Sequence, residues 1–268
     1  MKTRNPAWRI AQASAVFVYF LAQNAGAAQT YTFTDLGTLG GTNSSAAAIN
    51  NAGQIVGRAD IYNNAAFHAT LWNETTATDL GTLGGTYSGA TAINNVGQVA
   101  GYSNISGSST THATLWNHTA VTDLTPGGSG SAASAINDVG QVAGYTSANE
   151  YRATLWNGTT QTDLGTLGGR SSLAYGINSA GQVVGWSYTA DNATGHAALW
   201  DATTMTDLGT QGGTYGAGNT YMSFATAINN AGQIAGYART TYNENYHAAV
   251  WNGANFTVLV HEHINYDT

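Results

Sequence analysis

Histidines recur through this chain at a nearly fixed interval. His68, His112, His196 and His247 each open a His-Ala-x-x-Trp run, and Arg152 fills the remaining such place. Imidazole can ligate a metal or act as a general base, whereas arginine is not a metal ligand. A metal ring is therefore a poor reading, and no metal is expected. The better one is structural: each His ties neighbouring strands by hydrogen bonding, with the repeated Asp79, Asp123, Asp163 and Asp207 as partners. A second set, the carboxylates Asp60, Glu150, Asp191 and Glu244, would suit glycoside hydrolysis if two of them stood about 5 to 9 Å apart. They do not occupy equivalent repeat positions, and the sequence has no Asp-rich calcium loop. The third set is aromatic: Trp186, Tyr188, Tyr215, Tyr221, Tyr242 and Tyr246, interspersed with Asn192, Asn219 and Asn243. Rigid rings mixed with adaptable amides are how antibody paratopes bind. No cofactor is expected. The Gly-Gly pairs at 40-41, 84-85, 127-128, 168-169 and 212-213 have no Lys after them and no helix to open, so a phosphate loop does not fit.

The elements that must position these groups are repeats. Ala48 to Gly57 returns at 92 to 101, 135 to 144, 176 to 185 and 227 to 236, and the Ile of each copy follows the last by 44, 43, 41 and 51 residues. Each copy reads as a β-hairpin closed by Asn-x-x-Gly, the Gly being the residue that takes a positive φ cheaply. A variable loop leads to the His-to-Trp strand, and a short polar turn leads to a fourth strand ending in Thr-Asp-Leu. Four short strands every 40 to 45 residues is the period of a β-propeller blade. First strands such as Ala46-Ala47-Ala48 are built of small residues, as expected where inner strands crowd an axis. The prediction is an all-β fold, a five-bladed β-propeller of four-stranded blades, with a β-solenoid as the alternative. Candidate fourth strands occur six times, at Thr32 to Leu36 before the first hairpin and at Phe256 to Val260 at the end, so one terminal strand is expected to close the ring.

Three motifs in fixed order, Thr-Asp-Leu-Gly-Thr-Leu-Gly-Gly, Ala-Ile-Asn-x-x-Gly-Gln-Val-x-Gly and His-Ala-x-Leu-Trp, resemble the HAF repeat family of extracellular bacterial proteins. The resemblance covers nearly all of the chain after residue 27. It departs at the third place of His-Ala-Phe, which is Thr or Ala here, at Arg152 and at Val250. It implies export and a repeat fold, and brings no catalytic residues with it.

Composition narrows the partners. Residues 1 to 27 read as a secretory signal peptide, with Lys2, Arg4 and Arg9 before an apolar run and Ala25-Gly26-Ala27 as the cleavage site. Residues 28 to 268 then form a single repeat domain with no further transmembrane segment. Beyond residue 27 only Arg58, Arg152, Arg170 and Arg239 stand against 14 carboxylates, a formal charge of −10. Binding nucleic acid requires dense Lys and Arg, so that partner is excluded. Cys is absent, which removes disulfides, thiolate catalysis and Cys-ligated zinc.

Strand order assigns the groups to faces. The uniform Asn-x-x-Gly turns emerge on one side of the ring. The second-to-third loops (58 to 67, 102 to 111, 145 to 151, 186 to 195 and 237 to 246) and the longest inter-blade link (210 to 223) emerge on the other, where binding residues collect. The expectation is a secreted or periplasmic monomer acting as a non-catalytic binding or adhesion module for a glycan or a cell-surface protein. The alternatives are a glycoside-acting enzyme and a structural envelope protein.

Overall fold

The computed structural model describes residues 31–118, 120–192, 194–202, 204–210, 222–240, 243–253 and 255–258. Leu36–Thr268 forms one compact unit and Met1–Asp35 another. The signal-peptide expectation at 1 to 27 lies outside the described residues, as does the link at 211 to 221. No described helix is long and apolar enough to cross a membrane.

The compact unit consists of five antiparallel meanders of four strands. Blade one is β1 (Gly40–Ile49), β2 (Ile55–Ile61), β3 (Phe67–Asn73) and β4 (Thr76–Asp79); blade two is β5 (Gly84–Ile93), β6 (Gln98–Ile105), β7 (Thr111–Asn117) and β8 (Ala120–Asp123). Blade three is β9 (Gly130–Ile136), β10 (Gln141–Ser147), β11 (Tyr151–Asn157) and β12 (Thr160–Asp163); blade four is β13 (Gly168–Ile177), β14 (Val183–Thr189), β15 (Gly195–Asp201) and β16 (Thr204–Gly209). Blade five is β17 (Ser223–Ile228), β18 (Gln233–Thr240), β19 (Asn243–Asn252) and β20 (Asn255–Val258). The innermost strands converge: Ile49, Ile93, Ile136, Ile177 and Ile228, with the Asn after each, line one cavity of about 360 Å³. Convergence of all five on one axis is the property of a propeller that a stacked solenoid lacks.

The repeated turn shows why Asn and Gly recur. Gly53 at φ +77° closes it, donating its N–H to the Asn50 carbonyl at 3.0 Å. The Asn50 side chain accepts from Ala52 N and Gln54 N at 3.1 and 3.0 Å. Its amide then donates to the carbonyl of Asn94 in the next blade at 3.1 Å. Asn94, Asn137 and Asn178 repeat that reach at 3.0, 3.1 and 3.2 Å. One residue type therefore shapes the hairpin and couples the blades.

Between blades, apolar faces interlock. Trp116, Trp156, Trp200 and Trp251 each enter a cluster with Ala and Leu of the preceding blade, and inner-strand Ala90, Ala133, Ala174 and Ala225 are almost fully buried. At about 25 cal/mol per Å² and roughly 200 Å² per Trp, each insertion contributes about 5 kcal/mol of transfer free energy before entropy. A buried Ser completes each seam. Ser88, Ser131, Ser172 and Ser223 accept the N–H of Ala69, Ala113, Ala153 and Ala197 at 2.9, 2.8, 3.0 and 2.8 Å.

The fifth seam differs. Among the described residues, none of these bonds joins blade five to blade one. Ala235 and Ala248 are exposed, whereas their counterparts Val184 and Ala197 are buried. On blade one, Ser44 is exposed and Ile49 is 65% exposed. Among the described residues the expected closure by a terminal strand is not observed. Blade five uses its own β20, and residues 31 to 38 carry no strand. Each blade is built from four consecutive strands, and among the described residues no strand is left over for sharing. The Gly-Gly pairs are also more than links: Gly40–Gly41, Gly84–Gly85 and Gly168–Gly169 begin the inner strands.

Candidate functional site

The His and Asp repeats prove to be clasps between the third and fourth strands. His68, His112 and His196 meet Asp79, Asp123 and Asp207 through Nδ1, each at 2.8 Å, and Arg152 Nε donates to Asp163 at 3.0 Å. The same carboxylates accept the backbone N–H of Gly81, Thr125, Gly209 and Gly165 at 2.7 to 2.8 Å. An Arg serves as well as a His because the slot needs a donor beside an anion. Burial disfavours the charged Asp207 carboxylate, yet the hydrogen bonds from His196 and the Gly209 N–H, with the imidazole charge, hold it below its ordinary range. In blade five Val258 occupies the Asp place opposite Ala249, and His247 Nε2 is buried without a partner. The described residues contain no group of three metal-ligating side chains.

The candidate catalytic carboxylates are dispersed over different blades and individually engaged. Asp60 lies on β2, where it accepts from the Asn43 N–H at 3.2 Å and from Asn43 Nδ2 at 2.7 Å. Glu150 accepts from Ser171 Oγ at 3.0 Å. Asp191 accepts from the hydroxyls of Thr189 and Thr194 at 2.6 and 2.8 Å. Glu244 belongs to β19, and its side chain lies outside the described residues. No two of the described three share a hydrogen-bond partner.

The aromatic set is partly brought together and partly corrected. The expected loop at 186 to 195 is strand as far as Thr189, so Trp186 and Tyr188 belong to β14. Tyr246 likewise lies on β19. Strand pairing continues this far because Gly195 faces Tyr188 across the ladder and leaves room for the indole: a Cβ there would collide with Trp186 Nε1. Trp186 is only 9% exposed, which removes it as an open stacking platform. Asn192 is likewise committed, its Oδ1 accepting the Arg170 N–H at 2.7 Å, as Asn64 accepts the Thr42 N–H at 2.8 Å in blade one. Tyr215, Tyr221 and Tyr242 lie outside the described residues, as does Asn219, and the Asn243 side chain is also outside them.

What Trp186 does instead is support a row of rings across blades four and five. It meets Tyr188 edge-on at 4.5 Å and stacks on Phe224 of β17 at 5.8 Å with planes 11° apart. Phe224 stacks on Tyr237 at 4.9 Å, and Tyr237 meets Tyr246 edge-on at 5.3 Å. Cations terminate the row: Arg170 lies over Tyr188 at 5.4 Å and Arg239 over Tyr246 at 5.7 Å. Tyr237 and Tyr246 are 37% and 47% exposed, so the end of the row in blade five faces solvent.

Phe224, Tyr237, Arg170 and Arg239 are absent from the expected site. A sequence signal for one of them exists. The residue directly after the second-strand Gly is Arg58, Tyr102, Tyr145, Trp186 or Tyr237, one bulky side chain per blade. Phenols continue inward from this ring. Burial first, and then Tyr237 and Tyr145, push the Tyr175 hydroxyl on β13 up to about 12. Burial and then Tyr151 and Tyr102 raise Tyr145, while burial and then Tyr246 raise Tyr237. Tyrosines of blades two to five thus share one environment on the variable face.

No protein-family model matches the chain, and no curated protein matches it. Among solved structures it is similar to TolB from Acinetobacter baumannii, at 12% identity and a TM-score of 0.49, over 77% of this chain and 52% of that one. It thus spans about half the length of that relative. The β-propeller domain of the Trilobed protease from Pyrococcus furiosus, described as having an open velcro topology, aligns at 8% identity and a TM-score of 0.44 over 81% and 84% of the two chains. A fucose lectin from Kordia zhangzhouensis, solved with methyl-fucoside, aligns at 14% identity and a TM-score of 0.29 over 49% and 92%. The chain is a five-bladed β-propeller, and the assignment rests on its five meanders around one axis.

Proposed function

We propose that this chain is an exported, non-catalytic binding module of the HAF-repeat kind, acting as a monomer outside the cytoplasm. Its ligand is a glycan held on the aromatic row of blades four and five. The supporting observation is that row: Tyr237 and Tyr246 half exposed on β18 and β19, backed by Phe224 and the buried Trp186. Sugars present apolar C–H faces and a hydroxyl rim. Rings fixed by stacking bind the first at little entropic cost, and tyrosine hydroxyls meet the second.

A glycan array probed with the purified chain tests this, followed by calorimetry on the best hit. Loss of an exposed ring contact costs about 0.5–1.5 kcal/mol, so Tyr246→Ala and Tyr237→Ala should each weaken binding by roughly 2- to 12-fold. Binding that ignores both changes overturns the site. Capture of a surface protein with no glycan bound overturns the ligand class.

A further inference from the structure

We infer that the glycan is anionic, carrying carboxylate or sulfate groups at intervals, and that arginines seated on aromatic rings of the variable face read those charges. The inference rests on the glycan-binding reading above and narrows its substrate class. Beyond residue 27 the chain has four cations, all Arg, against 14 carboxylates. With acids in such excess, a structural Arg finds one easily, as Arg152 does with Asp163. The other three rest on aromatic rings. Arg58 lies over Phe67 at 4.8 Å, Arg170 over Tyr188 at 5.4 Å and Arg239 over Tyr246 at 5.7 Å.

For Arg58 and Arg170, both exposed, no described carboxylate or carbonyl accepts from the guanidinium. Asp60, two residues beyond Arg58, gives its carboxylate to Asn43 instead. A ring beneath a guanidinium restrains it without using its N–H donors, and two such donors can hold a carboxylate or sulfate through parallel bonds. Arg170 ends the row of Tyr188, Trp186 and Phe224. Arg58, with Asn43, Ser45, Asp60 and Phe67, lines a separate depression of about 320 Å³, a size that accepts a small ligand. Tyr87 of the next blade packs on Phe67 there at 4.9 Å. A densely charged polymer such as nucleic acid does not suit a chain of charge −10 with so few cations. A polysaccharide with spaced charges does, because each Arg acts at contact range while the remaining field is screened within about 8 Å at physiological salt.

The test uses calorimetry with four probes: tetragalacturonate, its fully methyl-esterified form, a sulfated galactan tetramer and neutral galactotetraose, with oligothymidylate as a control. The expected result is at least tenfold preference for an anionic probe over its neutral counterpart, and the two anionic probes distinguish carboxylate from sulfate. A charge-assisted hydrogen bond is roughly twice as strong as a neutral one. Arg170→Gln or Arg58→Gln should therefore weaken that probe about tenfold or more, with Arg→Lys intermediate and thermal stability unchanged. Neutral probes bound equally well, with both Gln variants at parental affinity, overturn the inference and leave glycan binding standing. Oligothymidylate bound more tightly than every sugar overturns it as well. Absence of binding to every sugar overturns both readings together.

Discussion

Replacing Ser88 by Ala tests how the blades are joined. Ser88 is fully buried; its hydroxyl accepts the Ala69 N–H at 2.9 Å and donates to the Gly81 carbonyl at 2.7 Å. Alanine fits the space and fills no role there, so a buried donor and a buried acceptor in two elements lose their partner together. Each such loss costs about 1–3 kcal/mol, less whatever a water molecule recovers, so Ser88→Ala should destabilise by about 2–4 kcal/mol. Ser172→Ala should cost the same, since Ser172 bridges Ala153 and Gly165 at 3.0 and 2.7 Å. The internal control is Ser44→Ala, which occupies the equivalent repeat position on blade one but is exposed. It should change stability by no more than about 0.5 kcal/mol. Urea titration followed by Trp fluorescence measures all three, since the seam indoles lose their packing on unfolding. An unchanged slope with a lowered midpoint means that the blades still unfold together. A reduced slope means that the weakened seam lets them part. Ser88→Ala within 0.5 kcal/mol of the parent refutes the seam argument. Ser44→Ala as costly as Ser88→Ala refutes the open fifth seam.

Two titrations probe other contacts. The Asp207 carboxylate is held below the ordinary 3.8 of an aspartate, so its contribution to stability is present above about pH 4 and is lost as pH falls through the lowered value. Asp207→Asn should be less stable at neutral pH and should show a shallower acid decline in circular dichroism melts; an acid limb identical to the parent's contradicts the clasp. Tyr175 titrates in the opposite sense. Its pKa is raised from 10.0 to about 12, so its contribution is intact below pH 10 and disappears as pH rises towards 12. Tyr175→Phe should flatten the alkaline stability loss over that window, and a parental slope would count against the shared phenol environment.

The local pattern carries its own readout wherever the physics is local. An Asn-x-x-Gly turn needs a side-chain acceptor at its first place and a positive φ at its last, so the five hairpins were legible from residues 48 to 57 and their copies. The His and Asp partners were legible because Arg152 in the His place ruled out a ligand and left a donor beside an anion. The row of rings was not legible. Trp186 and Tyr188 look like loop residues because sequence alone does not show how far a ladder continues past the Gly. That extent depends on Gly195 making room for an indole on the neighbouring strand. Phe224 carries no periodic signal and joins the site only because blade five stacks on blade four.

By itself, then, the sequence determined the blade, the turn, the number of repeats, the small residues at the axis and the scarcity of cations, each a property of neighbouring residues or of composition. Tertiary structure alone decided which side chains share the variable face, that Trp186 is a buried support and the exposed edge belongs to Tyr237 and Tyr246, and that arginines rest on rings. It also decided that, among the described residues, the fifth seam lacks the bonds that join the other four. These depend on how separate blades pack, and packing between elements distant in sequence is set by the fit of whole surfaces, which no short run of residues records.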